Sequence, residues 1–134
     1  MAVGSPGYAM RFRPIEWLLA GLLLTGLPAW GQELRLLVQS VPLAGFQYHA
    51  GEALWETLRV GDALELVREA DNPYDARAVR VDWRGIKLGY LPRVANRAVA
   101  EELDRGGRLE ARIAALTKAR NPWQRIRIEV WAPL

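Results

Sequence analysis

The stretch READNPYDARAVRVDWRGIKLGYLPR, residues 68–93, predicts a turn that leads into a β-hairpin. Residues 71–75 (DNPYD) favour the turn, because Asx side chains hydrogen-bond to nearby backbone and proline presets one backbone angle. After the turn, Val79, Val81 and Trp83 alternate with charged residues, which is the period-two pattern of a half-buried strand. This strand is the first arm of the predicted hairpin.

The rest of the stretch predicts the second arm. Residues 84–85 (RG) can reverse the chain, residues 87–91 can pair back, and Pro92 ends the pairing. Further along, residues 125–131 give the cleanest alternation of isoleucine and valine with charged residues. The other predicted elements are a strand at 34–40, a loop at 41–51, a helical turn at 53–58, and strands at 63–68 and 109–116.

One clear helix interrupts this series of strands. We expect Asn96 to cap it and Asp104 to end it, with Ala98, Val99 and Leu103 on its inner face. Five or six short strands and one helix in about a hundred residues predict a mainly β (β-rich α+β) fold. Strands this short and numerous favour a small closed or nearly closed barrel.

Residues 1–31 predict a leader that precedes the folded domain at 32–134. Arg11 and Arg13 precede an apolar run at 17–27, and small residues at 29 and 31 suit cleavage after Gly31. The run is shorter than a transmembrane helix requires. We therefore expect an exported protein in the periplasm or outside the cell. The alternatives are a mis-assigned start with a cytoplasmic protein, and an uncleaved leader that anchors the chain to a membrane.

The composition excludes several kinds of site. The chain contains no cysteine, so disulfides, thiolate metal sites and a lipoprotein anchor are excluded, and a single histidine, His49, cannot build a zinc centre. Ser40 has no partnered histidine, and a solvated helix face explains Glu101 and Glu102 better than acid–base catalysis. We therefore expect no enzyme, no cofactor and no metal.

The charge of the chain gives only weak support for a nucleic-acid ligand. The formal net charge is +3, and it is +2 when Arg11, Arg13 and Glu16 of the leader are left out. Beyond residue 31 nearly all basic residues are arginine, which makes forked contacts to phosphate. A GC-rich genome would produce the same bias.

Three segments carry a more specific signal: residues 45–51 (GFQYHAG), 68–79 (READNPYDARAV) and 85–93 (GIKLGYLPR), the last followed by Asn96. In this order and spacing they resemble the HIRAN domain, a module of some Swi/Snf-type helicases and of free-standing bacterial proteins. The resemblance covers residues 34–131. It implies a modified OB-like β-barrel, expected to be a monomer, that binds single-stranded DNA and preferentially its 3′ ends.

The resemblance also implies the residues of a binding site. Tyr48 corresponds to an aromatic of the end-binding pocket, Tyr74 and Asp75 to the turn that contacts the terminal nucleotide, and Arg93 to a basic residue on the backbone. The chain departs from the DNA-binding pattern at two positions, where Gln47 replaces a basic residue and His49 an aromatic. The full predicted set is Tyr48, Tyr74, Asp75, Arg93, Gln47, His49, Asn72, Lys87 and Tyr90.

The chemistry of these side chains fits a single strand of DNA. Tyr48, Tyr74 and Tyr90 offer faces that can stack on bases, while basic side chains such as Lys87 can neutralise phosphates. Asp75 could accept hydrogen bonds from a free 3′-hydroxyl or from base amino groups.

Plainer interpretations stay open for the same residues. Residues 72–75 can be a turn that only nucleates the hairpin, and Tyr90 can be a core residue. Gly85 and Gly89 can serve turn geometry and close packing. The tryptophans Trp83, Trp123 and Trp131 are expected to be core or barrel-cap residues. The alternative function is an exported module that reuses the barrel to bind a protein or an envelope polymer.

Overall fold

The computed structural model describes residues 34–49 and 51–134. The predicted leader and its cleavage site lie outside these residues. Residues 35–134 form one unit around a single core. In the part of the chain that is described, neither helix has the length and apolar character needed to cross a bilayer.

The described residues form six strands and two helices, which confirms the mainly β prediction. Their order is β1 (Arg35–Pro42), α1 (Gly51–Leu54), β2 (Ala63–Glu69), β3 (Ala78–Trp83), β4 (Ile86–Tyr90), α2 (Arg97–Asp104), β5 (Glu110–Leu116) and β6 (Ile126–Pro133). Three 3₁₀ turns connect them at Phe46–Tyr48, Arg93–Ala95 and Pro122–Gln124.

The hairpin that the sequence predicts is formed by β3 and β4. Arg84 and Gly85 have φ values of 48° and 78° between the two strands. Positive φ at both central residues is the signature of a type I′ turn, whose twist matches that of the flanking strands. The expectation that Gly85 serves turn geometry is therefore confirmed.

The six strands form one antiparallel sheet that closes on itself. The strand order is β1-β6-β5-β2-β3-β4, so β1 and β4 are the outer strands. The chain leaving β1 then reaches β4, because Ala44 and Tyr90 exchange two backbone hydrogen bonds of 2.9 Å. Gly89 makes this approach possible, since a Cβ atom there would overlap the carbonyl oxygen of Ala44. The predicted role of Gly89 in close packing is confirmed.

The core lies inside this barrel and follows the alternation of the strands. Ile126, Ile128 and Val130 of β6 are buried, as are Val79 and Val81 of β3. Trp83 is also buried, and its indole N–H donates to Asp62 at 3.0 Å, which confirms the expectation that it is a core residue. The outer faces of β2, β3 and β4 do not contribute to this core, so their side chains are available for a binding site.

Three details of the predicted helices are wrong. Ala100, not Ala98, joins Val99 and Leu103 on the inner face of α2, because positions 99, 100 and 103 share one side of a helix, whereas position 98 lies about 140° from position 103. Asn96 precedes the helix but makes no side-chain cap, because its backbone is helical (φ −89°, ψ −15°) and not extended as at a capping residue, and its amide N–H donates to Asp75. The first helical turn lies at Gly51–Leu54 and not at 53–58.

Candidate nucleic-acid interface

An open groove of about 1150 Å³ lies over the outer face of β2, β3 and β4. Its floor includes Val67, Glu69, Arg80 and Tyr90, the strand residues that alternate with the buried core positions. Register places Arg80 directly opposite both Val67 and Tyr90. The walls come from the loop after β1, the turn between β2 and β3, the 3₁₀ turn after β4, and the connection between β5 and β6.

The structure brings eight of the nine predicted site residues to this groove. They are Tyr48, His49, Asn72, Tyr74, Asp75, Lys87, Tyr90 and Arg93. Gln47 is not among the residues that line the groove, and its predicted contact with a ligand stays a prediction. It occupies the middle of the Phe46–Tyr48 turn, where successive side chains point about 120° apart. The Phe46 side chain points into the core and the Tyr48 side chain lines the groove. The Gln47 side chain therefore points away from both.

The turn between β2 and β3 is held by its own side chains. The Asn72 side-chain oxygen accepts from the backbone N–H groups of Tyr74 at 2.9 Å and Asp75 at 3.2 Å. This is an Asx turn, as the sequence predicts. Tyr74 lies at the tip of this turn and is 84% exposed. The same segment therefore forms the turn and presents an aromatic ring to the groove.

Asp75 already accepts hydrogen bonds from the protein through both carboxylate oxygens. One accepts from the Arg77 backbone N–H at 2.9 Å and the other from the Asn96 amide at 2.7 Å, while Arg93 lies 3.9 Å away. Burial opposes the ionisation of Asp75, but these hydrogen bonds and the Arg93 charge lower its pKa below the ordinary value. Each oxygen keeps a lone pair that a ligand donor could use.

We expect Asn96→Ala to lower the free energy of unfolding by about 2 kcal/mol, because the part-buried Asp75 carboxylate loses the Asn96 donor and the buried Asn96 side chain is removed. Asn96 is only 2% exposed. Urea denaturation measures the change. Asn121→Ala is the matched control, since that exposed residue accepts a hydrogen bond from the Trp123 backbone N–H. An equal loss in the two variants would contradict the prediction.

Glu69 forms hydrogen bonds with three other residues of the groove. One carboxylate oxygen accepts from the Tyr90 hydroxyl at 2.8 Å and from the Asn72 amide at 3.1 Å, and the other accepts from Arg80 at 3.0 Å. Burial opposes the charged form of Glu69. The three hydrogen bonds outweigh that effect and hold the pKa of Glu69 below its ordinary value. Tyr90 is thus a half-buried groove residue and not a core residue.

Two exposed aromatic rings join Tyr74 around the groove. Tyr48 is 78% exposed and Trp123 is 48% exposed. The expectation that Trp123 is a core or cap residue is therefore wrong. It lies in the Pro122–Gln124 turn, where Asn121 and Pro122 hold the chain at the surface. An aromatic residue within such a turn signal is the clue that could have identified it.

The groove also carries exposed positive charge. Arg93, in the 3₁₀ turn after β4, has a side chain that is 75% exposed. The Lys87 ammonium lies 4.6 Å from the centre of the Tyr90 ring. The His49 ring meets the edge of the Tyr90 ring at 6.0 Å. Burial and the Lys87 charge lower the pKa of His49, against an opposing effect of Glu69. The lowered pKa favours the neutral imidazole of His49, so the cations that the groove relies on are Lys87 and the arginines.

Sequence reasoning missed Glu69 and Arg80 because charged residues on a strand usually indicate a solvated face. Arg80 also forms two hydrogen bonds to Asp82, at 2.9 and 3.1 Å, and Asp82 is buried. A buried carboxylate needs such a partner. In residues 34–49 and 51–134 no group of three histidine, aspartate or glutamate side chains is arranged to hold a metal ion.

Comparisons with known proteins identify the family of this fold. The HIRAN domain family matches residues 36–134. A crystal structure of a Lactobacillus plantarum protein is 32% identical with a TM-score of 0.63, and the match covers 74% of this chain and 95% of that one. The crystal structure of the HIRAN domain of human HLTF is 22% identical, with a TM-score of 0.54, over 73% of this chain and 79% of that one, and it shares the fold. Among curated proteins no significant match is found. Since the family match spans most of its length, this chain belongs to the HIRAN domain family.

Proposed function

We propose that this domain binds single-stranded DNA and holds the strand's 3′ end in the groove over β2, β3 and β4. Membership of the HIRAN family implies a DNA-binding module. Single-strand preference, the free 3′ end and a purely binding role without catalysis are our proposals for this chain.

The observation that carries the proposal is the combination of exposed rings and cations around one open groove. Tyr48, Tyr74 and Trp123 present rings that are about half exposed or more. Every base has a π-face, so such rings hold a single strand without reading its sequence, and cations beside them neutralise its phosphates. A duplex hides those faces in its base stack. Lys87 and Arg93 supply the cations.

The carboxylate of Asp75 favours binding of a strand end over binding of the middle of a strand. An ionised carboxylate repels a phosphate, but it accepts a hydrogen bond from a hydroxyl. Asp75 is held in place by Asn96 and lies at the same end of the groove as Tyr74 and Arg93. A free 3′-hydroxyl can donate to its open lone pair while Arg93 contacts the preceding phosphate. A 3′-phosphate at that position would meet the Asp75 charge.

A second candidate is an exported module whose groove binds a protein or an envelope polymer. One observation favours it: Glu69, Asp71 and Asp75 place three carboxylates in the same groove as the cations. These charges reduce the attraction for a polyanion. Export itself is a proposal that rests on the leader of residues 1–31.

Fluorescence anisotropy with three labelled ligands tests the proposal. We expect a single strand with a 3′-hydroxyl to bind at least tenfold more tightly than the same strand with a 3′-phosphate, because the phosphate is repelled by Asp75 and costs more than about 1.4 kcal/mol. A blunt duplex is expected to bind more weakly than the 3′-hydroxyl strand. Equal affinity for all three ligands would overturn end recognition, and no binding to any of them would favour the second candidate.

A further inference from the structure

A second, smaller cleft of about 380 Å³ lies beside the connection between β5 and β6. Trp55, Lys118, Ala119, Arg120 and Arg125 line it. Arg125 is committed to the protein, because it pairs with Glu52 at 2.8 Å and donates to the Ala119 carbonyl at 2.7 Å. Lys118 and Arg120 are exposed, and within the described residues neither has a carboxylate within ion-pair distance. The cleft therefore carries uncompensated positive charge.

This basic cleft adjoins the aromatic groove. The Arg125 guanidinium lies 5.8 Å from the centre of the Phe46 ring, in the 3₁₀ turn whose last residue is Tyr48 of the groove. The turns Phe46–Tyr48 and Pro122–Gln124 pack against each other. Trp123, in the second of these turns, lines the groove, while the residues on both sides of that turn line the cleft. Lys118 and Arg120 therefore lie on the side of the connection that a strand leaving the groove past Trp123 would approach.

We propose that the cleft is an extension of the binding site that contacts the phosphates of the DNA strand on the 5′ side of the nucleotides held in the groove. The inference rests on the proposed function, since it needs a strand in the groove. Single-strand sites on OB-type barrels span about 4–16 nucleotides, which is more than one terminal pocket accommodates. Lys118 and Arg120 then add affinity for long strands only, because a ligand confined to the groove does not reach them.

The test compares the Lys118→Ala/Arg120→Ala double variant with the wild-type protein on two 3′-hydroxyl oligonucleotides, one of about three and one of about ten nucleotides. We expect the variant to bind the longer strand about tenfold more weakly and the shorter strand unchanged. Each phosphate contact to a single strand contributes about 0.7 to the slope of log K against log salt. The slope for the longer strand should therefore fall by about 1.4.

The control is Arg105→Ala/Arg108→Ala, which removes the same charge from a separate cleft beside Val38 and Leu134. A Lys118→Gln/Arg120→Gln pair and thermal unfolding curves separate loss of charge from loss of fold. Equal effects of the two alanine pairs on the longer strand would overturn the extension and leave the groove assignment intact. If the wild-type protein binds neither oligonucleotide, the proposed function fails and the extension fails with it.

Discussion

Replacing both Tyr48 and Tyr74 with alanine is expected to weaken binding of a 3′-hydroxyl oligonucleotide by at least a hundredfold. Each ring is more than three-quarters exposed, so it stabilises almost nothing in the free protein and is available to a base. Removing one stacked ring costs about 1–3 kcal/mol, so losing two costs about 2–6 kcal/mol, and the middle of that range, about 4 kcal/mol, exceeds the cost of a hundredfold loss. Fluorescence anisotropy measures the change, and circular dichroism verifies that the barrel is intact.

The matched control keeps the rings and removes only their hydroxyls. A Tyr48→Phe/Tyr74→Phe double variant should bind within about threefold of wild type, because base stacking uses the ring face. Loss of binding in the phenylalanine variant would assign the interaction to the hydroxyls and contradict stacking. Full binding in the alanine variant would remove the groove from the proposed function altogether.

The second large effect is expected for Gly89→Ala, which should lower the free energy of unfolding by about 3 kcal/mol. A Cβ atom at Gly89 overlaps the Ala44 carbonyl oxygen and lies 3.2 Å from the Leu43 side chain. The Ala44 carbonyl belongs to the backbone and cannot rotate away as a side chain would. It also accepts one of the two hydrogen bonds that join the chain after β1 to β4. Strand β4 has to move away, so those hydrogen bonds lengthen or break. Guanidinium denaturation measures the loss.

Gly107→Ala provides a control with the same initial crowding. A Cβ atom there also overlaps a neighbour, but the neighbour is the flexible side chain of Glu102. Rotation of that side chain relieves the contact, so we expect a loss of less than about 1 kcal/mol. If Gly89→Ala unfolds no more easily than Gly107→Ala, the junction between β1 and β4 does not depend on the missing side chain.

The parts of the fold that local patterns could predict are those whose contacts are local. The β3–β4 hairpin follows from alternation and a two-residue turn, and β6 follows from its isoleucine and valine spacing. Closure of the barrel through Ala44 and Tyr90 joins positions 46 residues apart, and no local pattern encodes such a pair. The inner face of α2 was mispredicted at Ala98 for a different reason, since the spacing of 3.6 residues per turn already groups positions 99, 100 and 103 on one side.

The candidate site divides in the same way. Residues 71–75 carry a turn signal and an unusual tyrosine, so the sequence pointed both to the turn and to a ligand. Glu69 and Arg80 were missed because their importance arises only when β2, β3 and β4 lie side by side. Trp123 was assigned to the core from its residue type alone, although its place after Asn121 and Pro122 favours the surface. The role of the whole set in binding DNA stays a prediction.

The junction between Ala44 and Tyr90 gives the barrel a seam of two hydrogen bonds, whereas β1 and β6 pair along nearly their whole length. The groove spans this seam, because Tyr48 and His49 lie on one side of it and Lys87 and Tyr90 on the other. A ligand that contacts both sides holds the two edges of the barrel together. Its binding energy is then also folding energy, so occupancy and stability are thermodynamically linked. Opening at the seam would separate the two sides of the binding site, so a bound ligand should oppose that opening.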